Sequence, residues 1–251
     1  MQDEFLKLVT DRQNGRLDAE TLLRQAEELL AGLPLYPPQA VMSIGIAAAD
    51  CLDAAPGMAV DVVLKLVSST EREVRAVTAA IVFRFARYQP GYWIDTVQLL
   101  IGDEDWEVRD LASHIFDTQE FGEGAVDFHL EFVLDTVQKW VADANALTRR
   151  AATQALLGHA SRHAEFRPKL LEILHPLLDD PSEYVRDNHT AALRKLGRAD
   201  PALVMDYIER SLPSAGDLAR DTFRTVLNQP WAAKLPERKL QLLAALNLPV
   251  T

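Results

Sequence analysis

The chain has 251 residues, 48% of them hydrophobic and 25% charged, the makeup of a folded globular protein and not of a disordered one. No apolar run approaches the roughly 18 residues of a membrane span, the amino terminus lacks the basic and apolar stretch of a secretion signal, and a single cysteine, Cys51, excludes an internal disulfide. A cytoplasmic protein that stays off membranes is therefore expected. The net charge of −11 weighs against a nucleic-acid partner, because phosphate contacts need Lys and Arg, yet the acid is concentrated: residues 1–130 carry 10 basic and 22 acidic side chains, residues 131–251 carry 16 and 15.

Helical periodicity dominates the whole length. Residues 2–13 and 18–31 read as amphipathic helices, the second opened by Asp18 with Leu22, Leu23, Leu29 and Leu30 on its apolar face. Leu33-Pro34-Leu35-Tyr36-Pro37-Pro38 then breaks the chain before a small-residue helix at about 39–53. After Pro56-Gly57 helices come in pairs: 58–67 with 71–88, 92–101 with 104–117, 125–142 with 144–160, 166–178 with 181–197, and 201–211 with 215–228. A last helix over 235–246 follows Pro230 and Pro236 and closes the array. Loops are short, as expected between antiparallel neighbours, so one domain over 1–251 is expected: amino-terminal helices over 1–57, five pairs over 58–228 and a cap over 229–251.

The pairs repeat. A Val-Arg-type dipeptide returns with Arg75, Arg109, Arg149, Arg186 and Arg220, in steps of 34, 40, 37 and 34 residues, and six residues before each stands Ser69, Asp103, Asp143, Asp180 or Ser214. A period of this length holds two helices and a turn, too little to close a core alone, so neighbours must stack into an all-α solenoid. A right-handed array is expected, with a concave groove lined by the second helix of each pair. Asp180-Pro181-Ser182-Glu183 reads as a capping oxygen, a first-turn proline and a carboxylate returning to the cap, and Ser214 with Asp217 has the same spacing. The repeated Arg is expected to form a ladder with the recurrent Asp or Ser across repeat junctions.

At 100° per residue, Val108, Leu111, Ala112 and Ile115 share one stripe and should be buried. Trp106, Asp110, Ser113 and Asp117 fall opposite and should face the groove, where an indole buries little unless something docks on it. The same register places Arg72 and Ala76, then Ala146, Arg150 and Thr153, then Glu183, Asp187 and Ala191, then Asp217, Asp221 and Arg224 along that groove. Asp187 is a second groove carboxylate, and His189 lies near it as a candidate polar lining residue. Other clusters carry less. His159 and His163 are four apart but have no third ligand nearby, so no metal is expected. Phe121-Gly122-Glu123-Gly124 follows no strand and precedes no Lys-Ser/Thr, so it is a loop and not a phosphate cradle. Asp103, Glu104, Asp105 and Glu107 suit a helix amino terminus, and Cys51 reads as a packing residue. No cofactor is expected.

Trp106-Glu107-Val108-Arg109-Asp110 resembles the Trp-x-x-x-Asp stretch of the HEAT-like-repeat alkylpurine DNA glycosylases of the AlkD type. Lys139-Trp140-Val141-Ala142-Asp143-Ala144-Asn145, followed by Arg150-Ala151-Ala152, resembles that family's next repeat. Tyr184-Val185-Arg186 through Leu193-Arg194, with Asp200-Pro201, is similar to the one after, so the likeness covers roughly residues 70–210. The resemblance implies HEAT-like repeats, duplex DNA as partner, and excision of N3- or N7-alkylated purines by hydrolysis of the glycosidic bond. It implies that Trp106 contacts the lesioned nucleotide, that Asp110 stabilises the developing sugar cation or positions water, and that Arg150 holds a phosphate. The chain departs from the family at Ala191, which stands where a second groove-facing Trp is usual. The competing reading is a non-enzymatic scaffold that takes a protein or peptide in the groove, with Trp106 as its anchor.

Overall fold

The computed structural model describes residues 1–52, 56–116 and 125–247, and every regular element among them is helical. Packing divides the chain into two compact units, Met1–Leu134 and Asp135–Thr251. The first holds α1 (Gln2–Gln13), α2 (Ala19–Leu30), α3 (Gln39–Leu52), α4 (Pro56–Val67), α5 (Arg72–Ala86), α6 (Pro90–Ile101), α7 (Trp106–Ser113) and the short α8 (Ala125–Phe128). The division falls inside α9 (Leu130–Val141). The second holds α10 (Ala146–Ala155), α11 (Leu157–Arg162), α12 (Arg167–Leu174), α13 (Glu183–Ala199), α14 (Pro201–Ser211), α15 (Asp217–Leu227) and α16 (Pro236–Leu246).

Local chemistry sets most boundaries. Asp18 caps α2, accepting from the Thr21 amide at 2.7 Å and its hydroxyl at 3.0 Å. Leu22, Ala26 and Leu30 form the buried line of that helix, with Leu23 and Leu29 half-buried at its margins. Pro90, Pro201 and Pro236 open α6, α14 and α16, where a missing N–H removes no intrahelical bond. α4 likewise begins at Pro56 and not after it. Pro176 does the opposite. It lacks the N–H that α12 would need to continue, so the α-helix stops at Leu174 and His175–Leu177 tightens into a 3₁₀ turn, dividing the single helix expected over 166–178. The helices expected over 125–142 and 144–160 are broken as well, at His129 and Leu156. The small residues of α3 let it lie close on α5: a Cβ at Gly45 would come 2.7 Å from the Val77 carbonyl oxygen.

Within each unit the second helices of successive pairs stack on one another, α5 on α7 in the first and α10 on α13 on α15 in the second. First helices do the same, α4 against α6 and α14 against the closing α16. This is the HEAT-like arrangement that the period required.

The repeated arginine is the junction bolt. Arg75 donates its NH1 to the Ser69 and Thr70 carbonyls, both at 2.9 Å, and grips Asp103 of the next repeat with Nε at 2.6 Å and NH2 at 3.0 Å. Arg149 repeats the pattern on the Asp143 and Ala144 carbonyls and on Asp180, at 2.6 and 2.9 Å. The capping expectation is corrected here. Asp180 does not cap α13: it accepts from the Ser182 amide two residues on, at 2.8 Å, and the helix starts only at Glu183, with Pro181 left in the turn. Asp103 and Asp143 likewise take the amides of Asp105 and Asn145, and those residues are the caps. Ser214 belongs to a 3₁₀ turn, and Gly216 stands at the α15 N-cap. Asp103 and Asp180 thus each tie a tight turn to an arginine one repeat earlier.

Candidate functional site

In the first unit, α7 presents the predicted pair. Its amino terminus is capped by Asp105, whose carboxylate accepts from the Glu107 amide at 2.8 Å and the Val108 amide at 3.3 Å. Val108, Ala112 and the following Ile115 are buried, as their stripe requires, while Leu111 is half-buried. That orientation leaves Trp106 57% exposed at the first helical position. Asp110 lies one turn later, half-buried, on the same stripe. Ser113, expected beside them, is buried with its hydroxyl on the Arg109 carbonyl, and Asp117 falls outside the described residues.

One clamp that the stripe did not foretell holds this turn. Arg72, one period before Trp106, pairs with Glu107 at 2.7 Å and Asp105 at 3.3 Å, and lies 3.5 Å from Glu73. Burial pushes the Asp105 carboxyl up, but the two α7 amides and the Arg72 guanidinium outweigh it and hold its pKa below the usual value. The turn that carries the indole therefore gathers three carboxylates around one guanidinium. An electron-rich ring face beside carboxylates attracts a cation and repels a phosphate. Because Trp106 buries little, Trp106→Ala is expected to change unfolding free energy by no more than about 1 kcal/mol. A loss of several kcal/mol in urea denaturation would put the indole in the core.

In the second unit the predicted residues separate. Asp187 is exposed on α13, in line with Glu183 and the exposed Ala191. Arg150 is not presented to solvent. It is 6% exposed, its Nε donates to Asn188 Oδ1 at 3.1 Å, and its guanidinium covers the Tyr184 ring at 5.5 Å. Asn188 in turn donates to the Tyr184 carbonyl at 2.8 Å, so these three side chains join α10 to α13. Ala76 and Thr153, placed in the groove by register, are buried too, whereas Asp217 and Asp221 are exposed as expected. His159 and His163 stack at 4.3 Å, with Phe166 edge-on to His159.

His189 is a core residue and not a lining one: it is 1% exposed and neither ring nitrogen has a well-formed partner. Burial drives its pKa down to about 4, with the Leu177 backbone pulling weakly the other way. Below pH 6.5 the unfolded chain takes up a proton on this ring that the folded protein refuses until about pH 4. Stability from this group is complete above pH 6.5 and falls as pH falls through that window. At pH 5 the wild type is expected to have lost about 2 kcal/mol more than His189→Gln, each relative to pH 7. Parallel urea titrations check this, and equal losses would contradict it.

The fold and the α7 pair together define a class: a HEAT-like helical-repeat protein that offers an indole and a carboxylate from one second helix. Residues 47–225, well over half of the chain, match the family described as DNA alkylation repair enzyme, and the chain belongs to that family. No curated protein matches the sequence. Two crystal structures share the fold. AlkD2 from Streptococcus mutans superposes with a TM-score of 0.69 at 17% identity, covering 84% of this chain and 98% of that one. The protein smu.31 from Streptococcus mutans UA159 superposes with a TM-score of 0.54 at 18% identity, covering 90% and 96%. No helix among the described residues is long and apolar enough to cross a membrane.

Proposed function

We propose that this protein binds duplex DNA and removes N3- or N7-alkylated purines by hydrolysing the glycosidic bond. The observation that carries the reading is the exposed Trp106 one helical turn from Asp110, in a member of the DNA alkylation repair family. An alkylated purine of this kind is a cation, and an indole face with carboxylates in the same turn suits it. As the bond from C1′ to the ring nitrogen breaks, its electron pair goes to the base, which leaves neutral, and positive charge develops on the sugar. Asp110 stabilises that charge or orients the water that adds to C1′ while losing a proton. A preorganised carboxylate is most effective where water is excluded, as it would be beneath bound DNA. Arg150 would reach a phosphate only by giving up Asn188, so the reading rests on α7. That acidic turn also favours a second reading, in which a cationic protein surface docks on Trp106 without chemistry.

Incubation with duplex DNA carrying 7-methylguanine or 3-methyladenine, followed by detection of free base, separates the two. Release above the spontaneous rate supports the first. No release, with no salt-dependent affinity for the duplex, leaves the scaffold reading.

A further inference from the structure

We propose that Arg72 is a positioning residue, which fixes the pose in which Trp106 meets its ligand. Trp106 is the first residue of α7, a helix of eight residues. A first-turn residue has no intrahelical partner for its N–H, and helix ends open more readily than helix middles. Among the described residues no ring or cation stacks on the indole, which is 57% exposed. Its own contacts do little to set its direction, so the turn that carries it has to.

That turn is held from the repeat before. Asp105 and Glu107 flank Trp106 in sequence, and NH1 of Arg72 reaches both, Glu107 at 2.7 Å and Asp105 at 3.3 Å. The two acidic side chains are only 18% and 16% exposed. Asp105 divides its oxygens: Oδ1 accepts from the Glu107 and Val108 amides, and Oδ2 accepts from Arg72. One guanidinium thus grips the cap of α7 and the residue just beyond the indole. A planar fork can serve two acceptors in fixed directions, which a lysine ammonium on its flexible stem does not do as well.

Stacking of the repeats does not require this clamp. The same junction is already bolted by Arg75, which holds Asp103 with Nε and NH2. Arg72 stands three residues before that ladder arginine, and in the later repeats the same place is taken by Trp106, Ala146, Glu183 and Asp217, none of them a cation. The bolt from Arg149 to Asp180 forms with Ala146 there. The extra cation therefore occurs once, at the junction that presents the exposed indole. The role of Arg72 at the site rests on the base-release reading, whereas its hold on the indole is independent of it.

The hold is tested without DNA, by time-resolved anisotropy of the acrylamide-quenchable tryptophan emission. Trp93, Trp140 and Trp231 are at most 5% exposed, so that emission belongs to Trp106. The share of anisotropy lost to local subnanosecond motion should rise at least about twofold in Arg72→Gln and in Glu107→Gln, with Arg72→Lys falling between them and the wild type. The double variant should move no more than either single one, because both changes cut the same link. Melting temperatures should drop by no more than about 4 °C, as for a half-exposed ion pair. Release of 7-methylguanine from duplex DNA should slow at least about tenfold in Arg72→Gln, in kcat, and recover in part in Arg72→Lys. A wild type that releases no base counts against the base-release reading alone, since the anisotropy still decides how the indole is held. Unchanged Trp106 motion in Arg72→Gln, or greater motion with release as fast as before, overturns the proposal.

Discussion

Asp110→Asn is expected to slow release of 7-methylguanine from duplex DNA by about 10²–10³-fold. The substitution keeps the size and hydrogen-bonding reach of the side chain and removes only its charge. Asp110 projects from the same stripe as Trp106, whose backbone is held by the Asp105 cap. Arg72 pairs with Asp105 and Glu107 in the first turn. The charge it offsets exists only while the glycosidic bond is breaking. The loss should therefore appear in kcat with KM nearly unchanged. Release unaffected by the change, or a loss confined to KM, would remove Asp110 from the chemistry.

The second large effect is on stability. Asp180→Ala is expected to cost about 3–4 kcal/mol of unfolding free energy. The Asp180 side chain is 3% exposed and that of Arg149 13%, and they meet through two hydrogen bonds of 2.6 and 2.9 Å. Burial pushes the Asp180 carboxyl up, but Arg149 and the Ser182 amide overcome it and hold its pKa below the ordinary carboxylate value. This contribution is present above that ordinary value and is lost as pH falls below it. Alanine strands a guanidinium that cannot shed its charge, and it also releases the turn amide. Urea denaturation measures the cost. A loss under about 1 kcal/mol would mean that the pair behaves like an exposed salt bridge.

What the sequence revealed and what it hid divide along one physical line. The period was legible because each Val-Arg-type step marks one unit of stacking, and Trp106 was legible because Val108, Ala112 and Ile115 fix which side of its helix is buried. The errors came from treating each helix as if it were alone. Ala76, Ser113 and Thr153 lie on the same exposed-looking stripe and are buried, although Asp187, Ala191 and Asp221 on that stripe stay exposed. Arg150 looked like a free cation because its partner Asn188 is 38 residues away. His189 was a lapse of another kind: two residues beyond exposed Asp187 is about 200° around the helix, which leads into the core. The capping error had the same root as that of Arg150, since the carboxylate of Asp180 serves an arginine 31 residues earlier.

The most direct test of the whole account is tryptophan emission during titration with duplex DNA containing 7-methylguanine. Trp93, Trp140 and Trp231 are at most 5% exposed, so acrylamide quenching reports on Trp106. Bound lesion-bearing DNA should change that emission and shield it from acrylamide, and Trp106→Ala should abolish both signals while the fold stays intact. DNA that binds and leaves Trp106 as open to quencher as before would contradict the account.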